Sequence, residues 1–524
     1  MPCRPENGAG RDLTAKGELK HEHITKKRFD DKIRKYITMV LAFLLLCLPL
    51  GGCKSHEEES RKPKTMAEAQ IKKAQASAAA QEQENETQDI LRVVTDIDCR
   101  SKMMGRSSQA SQGKQIFQTI LKHFGGVPSG MEVELNVLPM DEGGAYDSEL
   151  THIRTELAAG AGPDVFLMSG FGYGIDSFEG ETYVPKNTLF QNPESAMKKG
   201  LFLPLDDYIP NARFMDFDKL DPTVMAAGHN DQGQVVLPMF YQLDQAVLVK
   251  EADPGSLPGS WGQGVAMAGQ DEYIMEAYGF GLRFTRFRNM CFGQVADNQK
   301  EELLLDQETF FQRCKEAVNL YAQAVPRLKE VTSGSYVDSL SKMLAFVGYW
   351  TGYPSVEDAA FTSFVFHNEK GQINAPIETW CAVNKNTKHP DDAFFIVDCL
   401  LSKDFLSQEA FWIPTETYKY NSDQMTFFYM AGEGLVPVHT GLLSNPKGRY
   451  KYIETLGGPQ RKLLKEARES IGYAYFTSNV DREIDRMMAE LMTRVYDGEA
   501  LTDEDIRKAC DKCYTTLKMM LAES

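Results

Sequence analysis

Cys510 and Cys513, separated by Asp511 and Lys512, have a spacing that could do chemistry. A C-x-x-C pair can exchange disulfides or supply half of a metal site. The flanking pattern points elsewhere. Ile506, Cys510, Cys513 and Leu517 recur at helical spacing, so both thiols fall on the apolar face of a terminal helix and read as core packing. Other catalytic spacings are missing: the chain has no HExxH, no GxSxG and no GxxxxGK[ST], the arrangements used by zinc peptidases, α/β-hydrolases and phosphate loops. His367, His389 and His439 each stand alone. Gly125-Gly126, Gly143-Gly144 and Gly457-Gly458 read as turns. Carboxylates are abundant, which leaves a glycosidase pair open, but no spacing singles one out.

Cys53 has a different setting. It follows Leu50-Gly51-Gly52 at the end of the apolar run 36–50, and Lys26-Lys27-Arg28 through Arg34-Lys35 precede that run. The run is shorter than the ~20 residues of a spanning helix and suits the apolar region of a secretion signal. Basic residues ahead of it match the orientation rule for insertion. Leu-Gly-Gly-Cys after such a run resembles a bacterial lipobox, which makes Cys53 a lipidation site and residues 1–52 a removed signal peptide with a long basic leader. Residues 54–89 are rich in Glu, Gln, Lys and Ala with almost no large apolar side chains. They cannot bury enough surface to fold alone and read, with Cys53, as a flexible tether over 53–89.

Composition narrows the partners. The chain has 524 residues, too many for one compact core, which predicts two lobes. Its formal charge is −17, and residues 1–52 carry ten basic against six acidic side chains, so the remainder is more acidic still. Such a surface argues against nucleic acid and against an electrostatic membrane patch. Seven cysteines remain after Cys53, an odd number in a long chain, which is not a disulfide scaffold.

The elements that must position any site follow from periodicity. Residues 90–95 (ILRVVT) form a compact β-branched run and read as a buried strand. A helix over 113–124 follows, with Ile116, Phe117, Ile120, Leu121 and Phe124 on one face. Residues 131–138 alternate apolar and polar, a strand pattern. A second helix covers 148–159, stopped by Gly160 and Gly162, and 165–168 is the next strand. The β-α-β-α-β order predicts an α/β lobe with a largely parallel sheet. Apolar faces predict further helices over 310–321, 393–401, 484–496 and 503–521, the last opened by the capping pair Thr502 and Asp505.

Several motifs then fall in one order. Glu156-Leu157-Ala158-Ala159-Gly160-Ala161-Gly162-Pro163-Asp164-Val165 resembles the helix–turn–strand signature of extracellular solute-binding proteins of bacterial ABC importers, in the carbohydrate-binding branch that includes maltose-binding protein. Leu203-Pro204-Leu205-Asp206-Asp207-Tyr208 is similar to a turn of that family, and Asp231-Gln232-Gly233-Gln234-Val235-Val236-Leu237-Pro238 to its hairpin. Lys342-Met343-Leu344-Ala345-Phe346-Val347-Gly348-Tyr349-Trp350 resembles its later strand. Ala382-Val383-Asn384-Lys385-Asn386-Thr387-Lys388-His389-Pro390, followed by Asp391-Asp392-Ala393, resembles the approach to a following helix. The resemblance spans residues 90–520. It departs at Leu248-Val249-Lys250 and around Trp261, and segments 239–300 and 411–460 do not align.

The resemblance implies a two-lobed α/β fold with a hinge and an interlobe ligand cleft. Residues 90–235 with 370–400 are expected in one lobe, 236–369 with 401–524 in the other. It implies a non-enzymatic monomer without cofactor or metal, anchored in the membrane through lipid, that captures a small solute, expected to be an oligosaccharide. Hinge closure would hold the ligand for delivery to an ABC permease. In this frame Asp96 and Asp98 accept hydrogen bonds from sugar hydroxyls. Ser169 opens the loop after the third strand, Gly170 lets backbone approach the ligand, Phe171 and Tyr173 offer aromatic faces, and Trp350 with Tyr353 takes the position of a sugar-stacking aromatic. Tyr241, Trp380 and Trp412 are further aromatic candidates, with Trp380 set in an apolar run that favours burial. A surface glycosidase and a sensory binding lipoprotein without a transporter remain the alternatives.

Overall fold

A computed structural model describes residues 90–97, 109–139, 143–169, 188–248, 256–283, 286–298, 300–332, 345–349, 362–407, 435–446 and 458–523. Cys53, Cys99 and the tether lie outside them. The chain opens with β1 (Ile90–Thr95), α1 (Gln109–His123), β2 (Glu132–Val137), α2 (Gly143–Ala158) and β3 (Val165–Ser169). Next come two short helices, α3 (Pro193–Lys198) and α4 (Pro222–Met225), and the small hairpin β4 (His229–Asn230) with β5 (Gly233–Gln234). The pair β6 (Leu237–Gln242) and β7 (Asp244–Leu248) leads into α5 (Trp261–Ala268), α6 (Glu272–Arg283) and α7 (Phe287–Cys291). A second hairpin, β8 (Ala296–Asp297) and β9 (Glu302–Leu303), precedes the long α8 (Gln307–Thr332). Strands β10 (Ala345–Tyr349), β11 (Thr362–Val365) and β12 (Ile373–Val383) follow, then α9 (Pro390–Leu400), α10 (Lys403–Ser407), β13 (Leu435–Pro437) and α11 (Gly441–Ser444). The chain closes with α12 (Gly458–Glu469), β14 (Ile471–Phe476), α13 (Asn479–Tyr496) and α14 (Asp503–Glu523).

Local sequence accounts for these boundaries. Gly160 and Gly162 adopt φ of 77° and 110°, and a Cβ on Gly162 would lie 3.0 Å from the Leu157 side chain, so glycine is what lets the chain turn tightly from α2 into β3. α13 opens with a capping box: Asp481 N–H donates to Ser478 Oγ while the Asp481 carboxylate accepts from Ser478 N–H at 2.8 Å. Thr502 and Asp505 do the same for α14: Thr502 N–H donates to the Asp505 carboxylate at 2.9 Å, and Asp505 N–H to Thr502 Oγ1 at 3.2 Å. α1 and α2 begin four and five residues ahead of their expected starts, because neither N-terminal turn carries the apolar period that marked the rest.

Seven strands form the main sheet, in the order β13-β6-β12-β3-β1-β2, with β14 also on β12. β1 pairs parallel with β2 and β3. The largely parallel sheet expected from the first half of the chain holds only there: β12 runs antiparallel to β3 and β6. The reason is connectivity, since β12 re-enters the sheet from the other core rather than through a βαβ crossover. A second sheet, β10-β7-β11, is antiparallel.

Two hydrophobic cores result. The first packs α1, α2, α9 and α12 around the main sheet. The second joins α5, α6, α7, α8, α13 and α14 to β7 and β11. The chain passes from first to second between Leu243 and Ala246, returns between Phe366 and Ile373, and leaves again between Phe476 and Val480. Leu237, Met239, Phe240, Tyr241 and Leu243, and the buried apolar side chains from Leu401 to Phe476 other than Tyr475, all expected with the second lobe, pack in the first core. β6, β13 and β14 are strands of the main sheet, and hydrogen bonding carries their flanks with them. Among the described residues no helix is long and apolar enough to cross a membrane.

Candidate functional site

The strand ends of the first core converge on one point. β14 runs parallel to the first half of β12 and stops with Phe476 opposite Ile377. β3 runs antiparallel to the second half and stops with Ser169 opposite Thr379. The carboxyl ends of β3 and β14 therefore meet head-on along β12, and β1, parallel to β3, delivers Asp96 to the same place. Carboxyl ends of strands in open α/β sheets are where backbone gives way to exposed loops and where ligands bind.

A small cavity of ≈ 10 Å³, on the scale of one water, sits at this junction. It is lined by Asp96, Ser169, Phe190, Trp380, Phe476 and Arg482, with Thr188 and Thr477 beside them. All of these belong to first-core elements except Arg482, which reaches in from the first turn of α13, a helix of the second core. Arg482 Nη1 donates to Thr188 Oγ1 at 3.4 Å, and Nη2 to the Thr477 carbonyl at 3.3 Å. Both cores thus contribute to the pocket.

Asp96 is buried and accepts the Ser169 N–H at 2.6 Å. Burial pushes its carboxyl up to about 7, against the lowering effect of the Ser169 hydrogen bonds and the more distant Arg482 charge. Trp380 is 1% exposed and packs against Phe190, Phe202 and Phe476, with ring centroids 5.7–5.9 Å apart. Its indole Nε1 is buried without a hydrogen-bond partner. The ring face is thereby committed to aromatic packing, and what Trp380 offers a ligand is an N–H donor rather than a stacking face.

Where the chain crosses between the cores lies a polar pivot. Asp244, at the start of β7 where the chain changes core, accepts from Arg286, from Gln242 and, at 2.7 Å, from Asn289 Nδ2. Asn289 Oδ1 accepts from Tyr475 OH at 3.1 Å, and Asn374 Nδ2 donates to the carbonyls of Asn289 at 2.6 Å and Phe292 at 2.7 Å. β7, α7, β12 and β14 are thereby tied at the crossing. Glu378 lies opposite the break between β14 and β3, with Oε2 buried and unpartnered. Burial drives its carboxyl far above the ordinary carboxylate range, although the Arg286 guanidinium opposes this.

A second set of contacts joins the cores beside the pocket. Asn192 Nδ2 donates to Asn298 Oδ1 at 2.7 Å, Asn298 Nδ2 donates to Glu194 Oε2 at 2.5 Å, and Lys198 Nζ pairs with Glu301 Oε1 at 2.9 Å. Asn479 N–H donates to the Gln191 carbonyl at 2.8 Å. On the far side of Phe190 a larger cavity of about 450 Å³ is lined from both cores, by Arg154, Asn192 and Lys199 on one side and by Asn479, Met520 and Glu523 on the other.

Of the residues expected from sequence, Asp96, Ser169 and Trp380 are brought together. Tyr241 is fully buried in the first core on β6, opposite Ile377, and does not line the pocket. Asp98, Gly170, Phe171, Tyr173, Trp350, Tyr353 and Trp412 lie outside the described residues. Arg482, Thr188, Phe190 and Phe476 were not anticipated. Arg482 sits in an acidic and basic run after Ser478 that reads as an ordinary helix start, and nothing in its neighbourhood marks it. Among the described residues no cluster of His, Cys, Asp and Glu is arranged to hold a metal ion.

Comparison with known proteins agrees with this architecture. No family model and no curated protein sequence matches the chain. Among solved structures, the sugar-binding protein MalE from the phytopathogen Xanthomonas citri superposes with a TM-score of 0.51 at 13% identity, over 83% of this chain and 98% of that one. A family 1 extracellular solute-binding protein from Alicyclobacillus acidocaldarius gives 0.45 at 13% identity, over 83% and 98%. A sugar transporter from Arthrobacter chlorophenolicus with bound laminaribiose gives 0.47 at 15%, over 82% and 99%. The chain has the two-lobed α/β fold of the Xanthomonas citri sugar-binding protein.

Proposed function

We propose that this protein is an extracytoplasmic, lipid-anchored solute-binding protein that captures a carbohydrate between its lobes and presents it to an ABC permease. The observation that supports the reading is the meeting of β3 and β14, where first-core groups (Asp96, Ser169, Trp380) and Arg482 from the second core line a water-sized seam that would have to open for a sugar to enter. A ligand contacting both sets favours the closed arrangement over the open one, and that difference in affinity is what drives hinge closure. The groups on hand suit hydroxyls: a carboxyl that accepts or donates, an indole N–H, a guanidinium and a Ser169 hydroxyl, with aromatic walls for C–H faces. Asp98, Phe171, Tyr173, Trp350 and Tyr353 follow β1, β3 and β10 in sequence and are proposed to complete the site. Cys53 carries the lipid and 54–89 the leash, which keeps the lobes at high local concentration beside the permease.

The test is thermal unfolding of residues 90–524 with a panel of mono- and oligosaccharides, amino acids, peptides and polyamines. A saturable rise in midpoint with at least one carbohydrate is expected. A rise confined to non-carbohydrate ligands, or steady hydrolysis of a glycoside by the protein, overturns the reading. Metabolic labelling with a fatty acid, lost in Cys53→Ala, tests the anchor separately.

A further inference from the structure

The seam at the strand ends is the size of one water, whereas the cavity beyond Phe190 measures about 450 Å³, within the range of sites that enclose a small organic ligand. Thr188 joins the two: its hydroxyl accepts from Arg482 at 3.4 Å in the seam, and its carbonyl accepts from Arg154 in the cavity. Arg154 Nε also donates to the Leu189 carbonyl at 3.2 Å. These carbonyls set the direction of the guanidinium before any ligand arrives. Lys199, the residue that closes α3, brings a second cation to the same wall, and it forms no salt bridge among the described residues. The chain as a whole carries −17, so two cations against one acid, Glu523, reverse the prevailing sign at this cavity. Glu523 is exposed at the end of α14, where solvent screens its charge. The wall from the second core offers Asn479 at the start of α13, whose Oδ1 is buried without a hydrogen-bond partner. A buried acceptor left in that state is costly, and a ligand hydroxyl removes the cost. Leu201 and Met520 add apolar surface from the first and second cores.

We propose that this cavity is a subsite for the acid group of an acidic saccharide. Arg154 and Lys199 take the carboxylate of a uronic acid residue, and Asn479 Oδ1 accepts from a hydroxyl of the same or the adjoining sugar. Hydrogen bonds from a cationic donor to a carboxylate are roughly twice as strong as neutral ones. A guanidinium also meets both carboxylate oxygens through its planar fork, which a single ammonium cannot do. A neutral sugar gains neither bond and leaves both cations to solvent. The carboxylate is held from the first core and the hydroxyl from the second, so the bound ligand favours the closed arrangement. This rests on the proposed capture of a carbohydrate and narrows it to saccharides that contain uronic acid.

The experiment is calorimetric titration of the full chain with oligosaccharides of galacturonic, glucuronic and mannuronic acid, beside neutral oligosaccharides of the same length and linkage. At least one acidic oligosaccharide is expected to bind ~10-fold or more tightly than its neutral counterpart, and to lose much of that margin in high salt. Lys199→Gln, a change at an exposed position, is expected to cost most of the margin. Arg154→Lys keeps the charge without the fork and is expected to cost part of it. Lys198→Gln makes the same change in net charge one residue away, outside the cavity lining, and is expected to keep the margin. If Arg154→Lys fails to fold, Lys199→Gln against Lys198→Gln decides. Equal affinity for acidic and neutral partners, or tighter binding of the neutral ones, overturns the inference and leaves carbohydrate capture standing. A margin that survives Lys199→Gln intact overturns it too, by placing the acid group elsewhere. Binding of neither kind removes carbohydrate capture and this subsite together.

Discussion

Ser169 and Phe476 end two strands that approach head-on along β12, the one registered on Thr379 and the other on Ile377. Glu378 is the single residue between those partners. The break gathers strand termini from far apart in the sequence, and the helix that follows Phe476 carries Arg482 across from the second core into the pocket. The junction of the two cores and the candidate ligand site are thus one place.

Arg482 is the test of that coupling. In Arg482→Met the buried aliphatic bulk is kept while the hydrogen bonds to Thr188 and Thr477 are lost. A stability loss of about 1–3 kcal/mol is expected from the groups left unsatisfied. Ligand affinity should fall by at least ~10-fold, the equivalent of 1.4 kcal/mol. Calorimetric titration with whichever carbohydrate shifts the midpoint reads both; unchanged affinity in a folded variant removes Arg482 from the site.

Trp380 separates packing from hydrogen bonding. Trp380→Ala empties the space between Phe190, Phe202 and Phe476 and should cost roughly 3–5 kcal/mol of stability. Trp380→Phe keeps an aromatic ring against these neighbours but deletes the indole N–H together with the second ring, at a packing cost well below that of Trp380→Ala. It should fold near wild type yet lose ~0.5–1.5 kcal/mol of ligand affinity, the net worth of one hydrogen bond. An affinity equal to wild type for Trp380→Phe means that the donor faces no ligand group.

Asp96 predicts a pH dependence. Its folded carboxyl is raised by burial from an ordinary 3.8 to about 7. Below about pH 4 both folded and unfolded chains hold the proton and the site carries no penalty. As pH rises toward 7 the unfolded chain gives up its proton first, so stability falls across that window and levels off above it. Glu194, raised to about 7, and Asp485, raised to about 8, add slopes of the same sign, so the measurement is the difference between wild type and Asp96→Asn. The variant should gain on wild type steadily between about pH 4 and 7 in urea unfolding. Parallel profiles would mean that Asp96 titrates normally in the folded chain.

How much of this was readable beforehand depended on the range of the contacts. β1, β3 and α14 carry their own periodicity, and the Thr502–Asp505 cap is a local pattern, so each was evident from its own residues. Asp96 and Ser169 follow strands whose ends point to one side of a parallel sheet, which is why they were found together. Phe476, Thr477 and Arg482 reach the same spot only through the pairing of β14 with β12, a contact across about a hundred residues that no local pattern encodes. The allocation of residues 401–476 failed to emerge for the same cause. The apolar run around Trp380 pointed to burial, but which three aromatic rings pack against it is a tertiary fact.

The bridge from α3 to the second core offers the last prediction. Asn298 is central: it accepts from Asn192 and donates to Glu194, so one side chain holds two first-core groups. Asn298→Ala removes both bonds and leaves Glu194 half-buried with one hydrogen-bond donor fewer. Lys198–Glu301, which is exposed, contributes little by itself and cannot replace them. The variant should therefore shift the lobes toward the open arrangement without unfolding either core, because it deletes two polar bonds and no apolar core side chain. Small-angle scattering of the unliganded variant should show a larger radius of gyration than wild type, and ligand should restore the compact value at the expense of affinity. An unchanged radius in the unliganded state, with an unchanged affinity, would show that the polar pivot at Asp244 and Asn289 holds the lobes alone.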